Sequence, residues 1–166
     1  MTLTAYTNYF EFLATYFRPI GHSGNRQRFA RVDIEEVITQ LRSRLDLQEP
    51  CMLLEYFEGE LGGNGGDNHL NQMTGAFYIV QQVRANDLKD ENLVLNRCLE
   101  YGKEIVARIY KDSEKRTIYG FLKNFRLEKV SYNKVGPLWG NVYGYRFEFP
   151  WYDSFAPVTF PNNWSA

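Results

Sequence analysis

Few residues of this chain are of a type and spacing that could do chemistry. Its two histidines, His22 and His69, have no second ligand at the i+2, i+3 or i+4 spacing that builds a metal site. Asp67 stands near His69 and could pair with it as acid and base, but the run Glu58-Gly-Glu-Leu-Gly-Gly-Asn-Gly-Gly-Asp-Asn-His69 is glycine-rich and would hold a catalytic geometry poorly. Gly62-Gly-Asn-Gly-Gly66 suggests a phosphate cradle, yet no Gly-Lys-Ser/Thr follows and the stretch leads into a strand, not a helix. Ser23, Ser43, Ser113 and Ser131 lie in no nucleophile-elbow context. Cys51 and Cys98 sit in apolar settings far apart in sequence, with no paired-cysteine or cysteine-histidine spacing, and read as buried free thiols. The residues therefore predict a protein that is not an enzyme and uses no cofactor or metal.

Charge offers a different kind of chemistry. Arg18, Arg26, Arg28 and Arg31 make one loop basic, with three readings open: contacts to nucleic-acid phosphates, contacts to a partner's carboxylates, or a solvated loop. Glu58, Glu60 and Asp67 make a second loop acidic. Opposed patches on one small domain suit head-to-tail self-association, in which one patch meets the other on the next subunit. The formal net charge of -1 gives no global attraction to nucleic acid. Aromatic residues are abundant at 16%, and these enrich cores and interfaces alike.

The elements that must carry these groups follow from periodicity. Tyr6, Tyr9, Phe10, Leu13, Tyr16 and Phe17 predict a helix over 4–17, with Thr4 or Thr7 as N-cap. Residues 20–29 read as a loop. Asp33 caps a second helical pattern, Ile34, Val37, Ile38, Leu41 and Leu45, with Glu35 and Glu36 in its first turn. Cys51 to Phe57 and Met73 to Val83 read as antiparallel strands joined by a long glycine-rich hairpin. Asn86, Asp87 or Asp90 opens the strongest helix, with a stripe from Leu95 through Cys98, Gly102, Ile105 and Ile109. Gly102 in that stripe suggests close packing on the sheet. Thr117 to Asn124 is ambiguous; Phe125 to Val130, extending toward Asn133, predicts a third strand, and Gly136-Pro137 and Gly140-Asn141 a turn.

The fourth strand is the clearest. Tyr143, Tyr145, Phe147 and Phe149 alternate with Val142, Gly144, Arg146 and Glu148, so one face is core and the other meets water or a partner. Past Pro150, the aromatics Trp151, Tyr152, Phe155, Phe160 and Trp164 show no period and predict an extended arm over 151–166, laid on its own domain or inserted into a neighbour. The whole is a single α+β domain over 1–150: a mainly antiparallel four-stranded sheet of two hairpins, one long, packed by helices. No stretch has the pattern of a signal peptide or a membrane span, which predicts a soluble protein made in the cytoplasm.

The order of elements and certain residues resemble a known family. An acidic glycine-rich hairpin, then Thr74-Gly-Ala-Phe-Tyr-Ile-Val80, a long helix, Val130-Ser-Tyr-Asn-Lys-Val-Gly-Pro137 and finally Tyr143-Gly-Tyr-Arg-Phe-Glu-Phe149 are similar to the tail terminator and tail-completion proteins of tailed bacteriophages and of phage-derived contractile particles. The resemblance spans about residues 30–152. It implies a non-enzymatic virion protein assembled in the host cytoplasm: a ring, commonly of six subunits, that caps the head-proximal end of the tail tube and presents a surface to the neck. The implied partners are other copies of the chain, the tail tube protein, a neck or connector protein and in some particles the sheath. No membrane is involved, and nucleic acid enters only by passage through a lumen. Against it stand two alternatives: another neck or head-completion adaptor touching the connector or DNA, and a small-ligand-binding α+β domain with an aromatic pocket. Contact residues are inferred from this sequence, not from a family motif. They are Arg18, Arg26, Arg28 and Arg31 of the basic loop; Glu58, Glu60 and Asp67 of the hairpin; Arg146 and Glu148 of the last strand; and Trp151, Tyr152, Phe155, Phe160 and Trp164 of the arm.

Overall fold

The computed structural model describes residues 2–32, 43–63, 69–115, 122 and 124–157. In chain order these form helix α1 (Leu3–Tyr16), strands β1 (Phe29–Val32), β2 (Cys51–Glu55), β3 (Glu58–Gly63) and β4 (His69–Gln82), helix α2 (Leu88–Ser113), and strands β5 (Ser131–Leu138) and β6 (Val142–Ser154). Most of the helix expected from Asp33, and most of the ambiguous 117–124 segment, fall outside the described residues. The result is an α+β domain with one six-stranded sheet ordered β1-β2-β4-β6-β5, β3 also pairing with β4.

β4 is the spine of the sheet. One edge pairs antiparallel with all 13 residues of β6, from Leu70 opposite Ser154 to Gln82 opposite Val142. Its other edge takes two strands end to end: β2 against Phe77–Val80 and β3 against His69–Thr74. The sheet is mixed because β1 runs parallel to β2, with Phe29 opposite Met52. Phe29-Ala-Arg-Val32 is too short for its alternation to stand out from the preceding loop, so the sequence reading had no signal for it.

The aromatic face of β6 is core, as its period requires, and it continues one step further, to Trp151. Phe147, Phe149 and Trp151 meet Met73, Phe77 and Ile79 beneath Tyr6, Tyr9, Phe10 and Leu13 of α1 and Cys98, Ile105 and Ile109 of α2. Phe147 stacks on Phe77 with ring centroids 5.2 Å apart, and Phe149 on Phe10 at 5.7 Å. Gly102 is the point of closest approach: a Cβ there would enter the Phe147 ring, so only a glycine lets α2 sit this close to β6.

The opposite face is not simply wet. At one end Val80, Val142, Leu53 and Cys51 form a second, smaller core with Ala30, Val32, Leu45 and Leu47. This explains why every residue of β2 is buried.

Helix α1 is capped by Thr2, whose hydroxyl accepts from Ala5 N at 3.2 Å, two residues before the nearer expected cap. Asp87 caps α2, accepting from the amides of Lys89 and Asp90, each at 3.0 Å. The helices are tied together by fully buried Asp112, which accepts from Tyr9 Oη at 3.1 Å and Arg108 Nε at 2.8 Å.

Several boundaries differ from expectation, beginning with the glycine-rich hairpin, where Glu58–Gly63 is strand β3 and β4 already starts at His69. Phe125 to Val130 is not a strand: Phe125 is buried in the core and Leu127–Lys129 make one 3-10 turn before β5 begins at Ser131. Gly136-Pro137 lies inside β5 instead of forming a turn, with a register shift between Val135 and Leu138 and Gly136 at φ 117. β5 is an edge strand, where such irregularity interrupts no second ladder. Pro150 does not end β6 either. β5 stops pairing at Glu148, so beyond it the outer edge of β6 has no strand to bond, and proline is admitted there.

Candidate interaction surface

The candidate contact residues fall into four groups: the fold keeps the basic loop apart from the hairpin but brings Glu58 beside Arg146 and Glu148 around one cavity of about 170 Å³. Arg18 and Arg26 lie exposed on the loop after α1. They line a cleft of about 790 Å³ with Arg28, Glu49, Arg97 and Tyr101. Arg28 is largely committed to the fold: its guanidinium donates to Asp46 Oδ2 from Nε at 3.0 Å and Nη2 at 2.8 Å, and to Ile20 O from Nη1 at 3.0 Å. Arg97 donates to Gln81 Oε1 at 3.0 Å. The side chains of Arg18 and Arg26 make no hydrogen bond or ion pair with any described residue.

Arg31 does not join them. It sits in β1, and alternation turns it toward α1, where it lies 4.7 Å over the Tyr56 ring and donates to Tyr56 Oη at 2.6 Å. In its place the fold supplies Arg97 and Tyr101, which sequence reasoning missed. They are four apart on one flank of α2, a signal that they act together, but only the tertiary fold brings that flank to the loop some 75 residues earlier.

The second group is acidic. Glu58 and Glu60 are exposed on β3, two residues apart and hence on one face of the strand, and make no ion pair with any described residue. Asp67 lies outside the described residues. β3 and the facing ends of β4 and β6 form a three-stranded ribbon that carries the sheet past the helices, with the outer edge of β3 unpaired among the described residues.

The third group, Arg146 and Glu148, is half-buried and already paired within the chain. Arg146 grips Glu55 with both arms of its guanidinium, Nε to Oε1 at 2.9 Å and Nη2 to Oε2 at 2.7 Å, and donates from Nη1 to Glu148 Oε2 at 2.6 Å. Tyr78 donates its hydroxyl to Glu55 Oε1. Burial alone would raise the Glu55 carboxyl, but the hydrogen bonds from Arg146 and Tyr78 outweigh it and hold the carboxyl below its ordinary 4.5. The hydrogen bond to Glu55 raises Arg146, and burial, aided by Glu55, pushes Tyr78 up to about 12. Glu55 is on β2, remote in sequence, so the strand pattern of β6 could not reveal that its polar face is already satisfied.

The arm is likewise shortened from its start. Trp151 is 1% exposed and stacks on Tyr6 and Phe149, each at 5.6 Å between ring centroids. Tyr152 is half-buried on the other face of β6, where its carbonyl accepts from Asn124 Nδ2 at 2.7 Å. The first residue past the ribbon, Phe155, is exposed, its amide donating to His69 O at 3.0 Å. Phe160 and Trp164 lie outside the described residues.

Among the remaining groups, His22 is buried and its Nδ1 accepts from the Arg28 amide at 3.2 Å, a structural role. Both cysteines are buried, and burial pushes each thiol up to about 12. Among the described residues no group of three His, Cys, Asp or Glu could hold a metal ion, and no helix is long and apolar enough to cross a membrane. An apolar groove of about 440 Å³ lies between α2 and the 3-10 turn, floored by Val106 and Phe147 and flanked by Tyr110, Leu127 and Tyr132. No protein-family model matches the chain, and no curated protein matches it. Among the described residues, Arg18 and Arg26 carry unpaired charge at one end of the sheet and Glu58 and Glu60 on the ribbon at the other.

Proposed function

We propose that this chain is a structural virion protein that caps the head-proximal end of a phage tail tube and joins it to the neck, acting as an oligomeric ring without catalysing a reaction. The observation that carries this reading is the ribbon of β3, β4 and β6. It leaves the helix-covered core, exposes every residue of β3 and presents an unpaired strand edge. Exposed edges are ordinarily blunted because they recruit other chains, so a projecting one suits a protein built to be joined. The resemblance of 30–152 to tail terminators supplies the identity of the partners, and the order helix, strands, long hairpin, helix, final hairpin supports it.

Two experiments test this reading. Purified protein, alone and with a phage tail tube protein, is imaged by electron microscopy and sized by mass photometry. Rings that cap tube ends are expected; monomers alone in both samples, with tubes that grow unchecked, would refute the proposal.

A further inference from the structure

We infer that the arginine cleft of one copy receives the acidic face of β3 from a second copy, so that the ring contact is a head-to-tail, charge-matched junction. This rests on the oligomeric reading above and names its contact. Arg18, Arg26 and Arg97 bring three guanidiniums without a carboxylate partner to the cleft, against the single carboxylate of Glu49. Glu58 and Glu60 are likewise unpaired. Each patch thus has unspent charge of the sign the other requires.

The two patches cannot satisfy each other within one chain. The cleft adjoins Pro50, just before β2, where Cys51 stands opposite Val80; Glu60 stands opposite Gln72 on the same strand. Those positions are eight residues apart along β4, about 27 Å at about 3.4 Å per residue, several times the reach of any side chain. Patches of opposite sign at opposite ends of one rigid sheet join copies end to end, and such a heterologous contact closes into a ring when the rotation between copies allows.

Shape agrees with charge. Gly59, Gly62 and Gly63 leave β3 slender, and a Cβ at Gly62 would meet nothing within 4 Å. Tyr152 and Leu70 share the face of Glu58 and Glu60 across the ribbon, giving it apolar matter to lay against Pro19, Pro50 and Tyr101 of the cleft. A nucleic-acid backbone fits less well: it would meet Glu49 and Asp46 at the same place, on a chain of net charge -1.

The test is a charge swap in the full-length protein. R18E/R26E and E58K/E60K alter exposed side chains only, so both variants keep the native circular dichroism and melting temperature. Each alone should need at least about tenfold more protein than the native chain to assemble, because like charges now face each other. A one-to-one mixture should assemble at near-native concentration, since the acidic ribbon of R18E/R26E finds the unaltered cleft of E58K/E60K, and the lysines of the latter find the new glutamates. Native assembly should also weaken between 50 and 500 mM salt, an interval over which surface charges become screened.

Either variant assembling like the native chain, or a mixture that does not recover, overturns the inference while leaving the ring itself standing. A native chain that stays monomeric with and without the tube overturns both. An oligonucleotide that binds through Arg18 and Arg26 while assembly ignores them would make the cleft a phosphate site and the inference wrong.

Discussion

Replacing Gly102 with alanine inverts an ordinary rule. In the middle of a helix, glycine to alanine is worth about 1 kcal/mol of added stability from backbone propensity. Here the added methyl group points into the Phe147 ring, where even the third-nearest ring carbon, Cδ2, would be 2.8 Å away and two others closer. The ring cannot retreat, because Phe147 is 1% exposed and stacked flat on Phe77 with an interplanar angle of 9°. Relief requires α2 to lift from the sheet, and overpacking of this kind costs about 1–3 kcal/mol or more. Taking 3 for a direct clash and subtracting about 1 for propensity leaves G102A destabilised by about 2 kcal/mol, or about 4–8 °C in melting temperature for a chain of this size. Thermal and urea unfolding measure it, with F147A and the double variant completing a cycle. F147A alone should cost about 3–5 kcal/mol for the lost ring. In that background the obstacle is gone, so G102A should turn neutral or stabilising. A G102A protein as stable as the native chain, or the same sign in both backgrounds, would refute the reasoning about this contact.

Four further outcomes follow from the same structure. Arg146→Met leaves the buried Glu55 carboxylate without its main partner and should destabilise by about 2–3 kcal/mol, the scale for orphaning a buried charge, read by urea unfolding at pH 7. The pH dependence has a definite sign: the folded Glu55 carboxyl lies below its ordinary 4.5, so its contribution is present above that pH and lost as pH falls through the lower, folded value. In R146M that acid loss should shrink or reverse, because burial is then left to raise the Glu55 carboxyl and protonating it relieves the orphaned charge. Ending the chain after Phe149 removes Trp151 from the core and a strand from the ribbon, so that protein should unfold or melt far below native by differential scanning calorimetry. Cys51 and Cys98, with thiols raised to about 12, should resist alkylation at pH 8 in native protein and react promptly in denaturant, as followed by mass spectrometry.

What was legible in the sequence depended on whether the signal was local. The alternation at Tyr143–Phe149 and the stripe on α2 report which side of an element is apolar, and both core faces follow from them. Gly102 was legible too, as a cost inside a good helix that close packing explains. Less legible was anything decided across the sheet. Arg146 looked free because its satisfaction comes from Glu55, 91 residues away. Trp151 looked like part of an arm because Pro150 reads as a strand end, and only the absence of a β5 partner there makes the proline harmless. β1 was too short to see. The arginine cleft was half visible: Arg18, Arg26 and Arg28 cluster in sequence, but the departure of Arg31 and the arrival of Arg97 depend on strand parity and helix docking.

The pairing of β4 with β6 also sets a schedule for synthesis. β4 ends at Gln82 and its partner begins at Val142, so 59 residues, among them the whole of α2, separate the two halves of the spine. At about 5–20 residues per second, a ribosome leaves the 14-residue β4 with one bare edge for about 3–12 seconds before β6 can be made. During that interval the nascent protein carries a hydrophobic strand open to any other chain still being translated nearby. A ring of the proposed kind, joined at strand ribbons, would have to avoid joining its copies early, and that edge of β4 is covered only when β6 is in place.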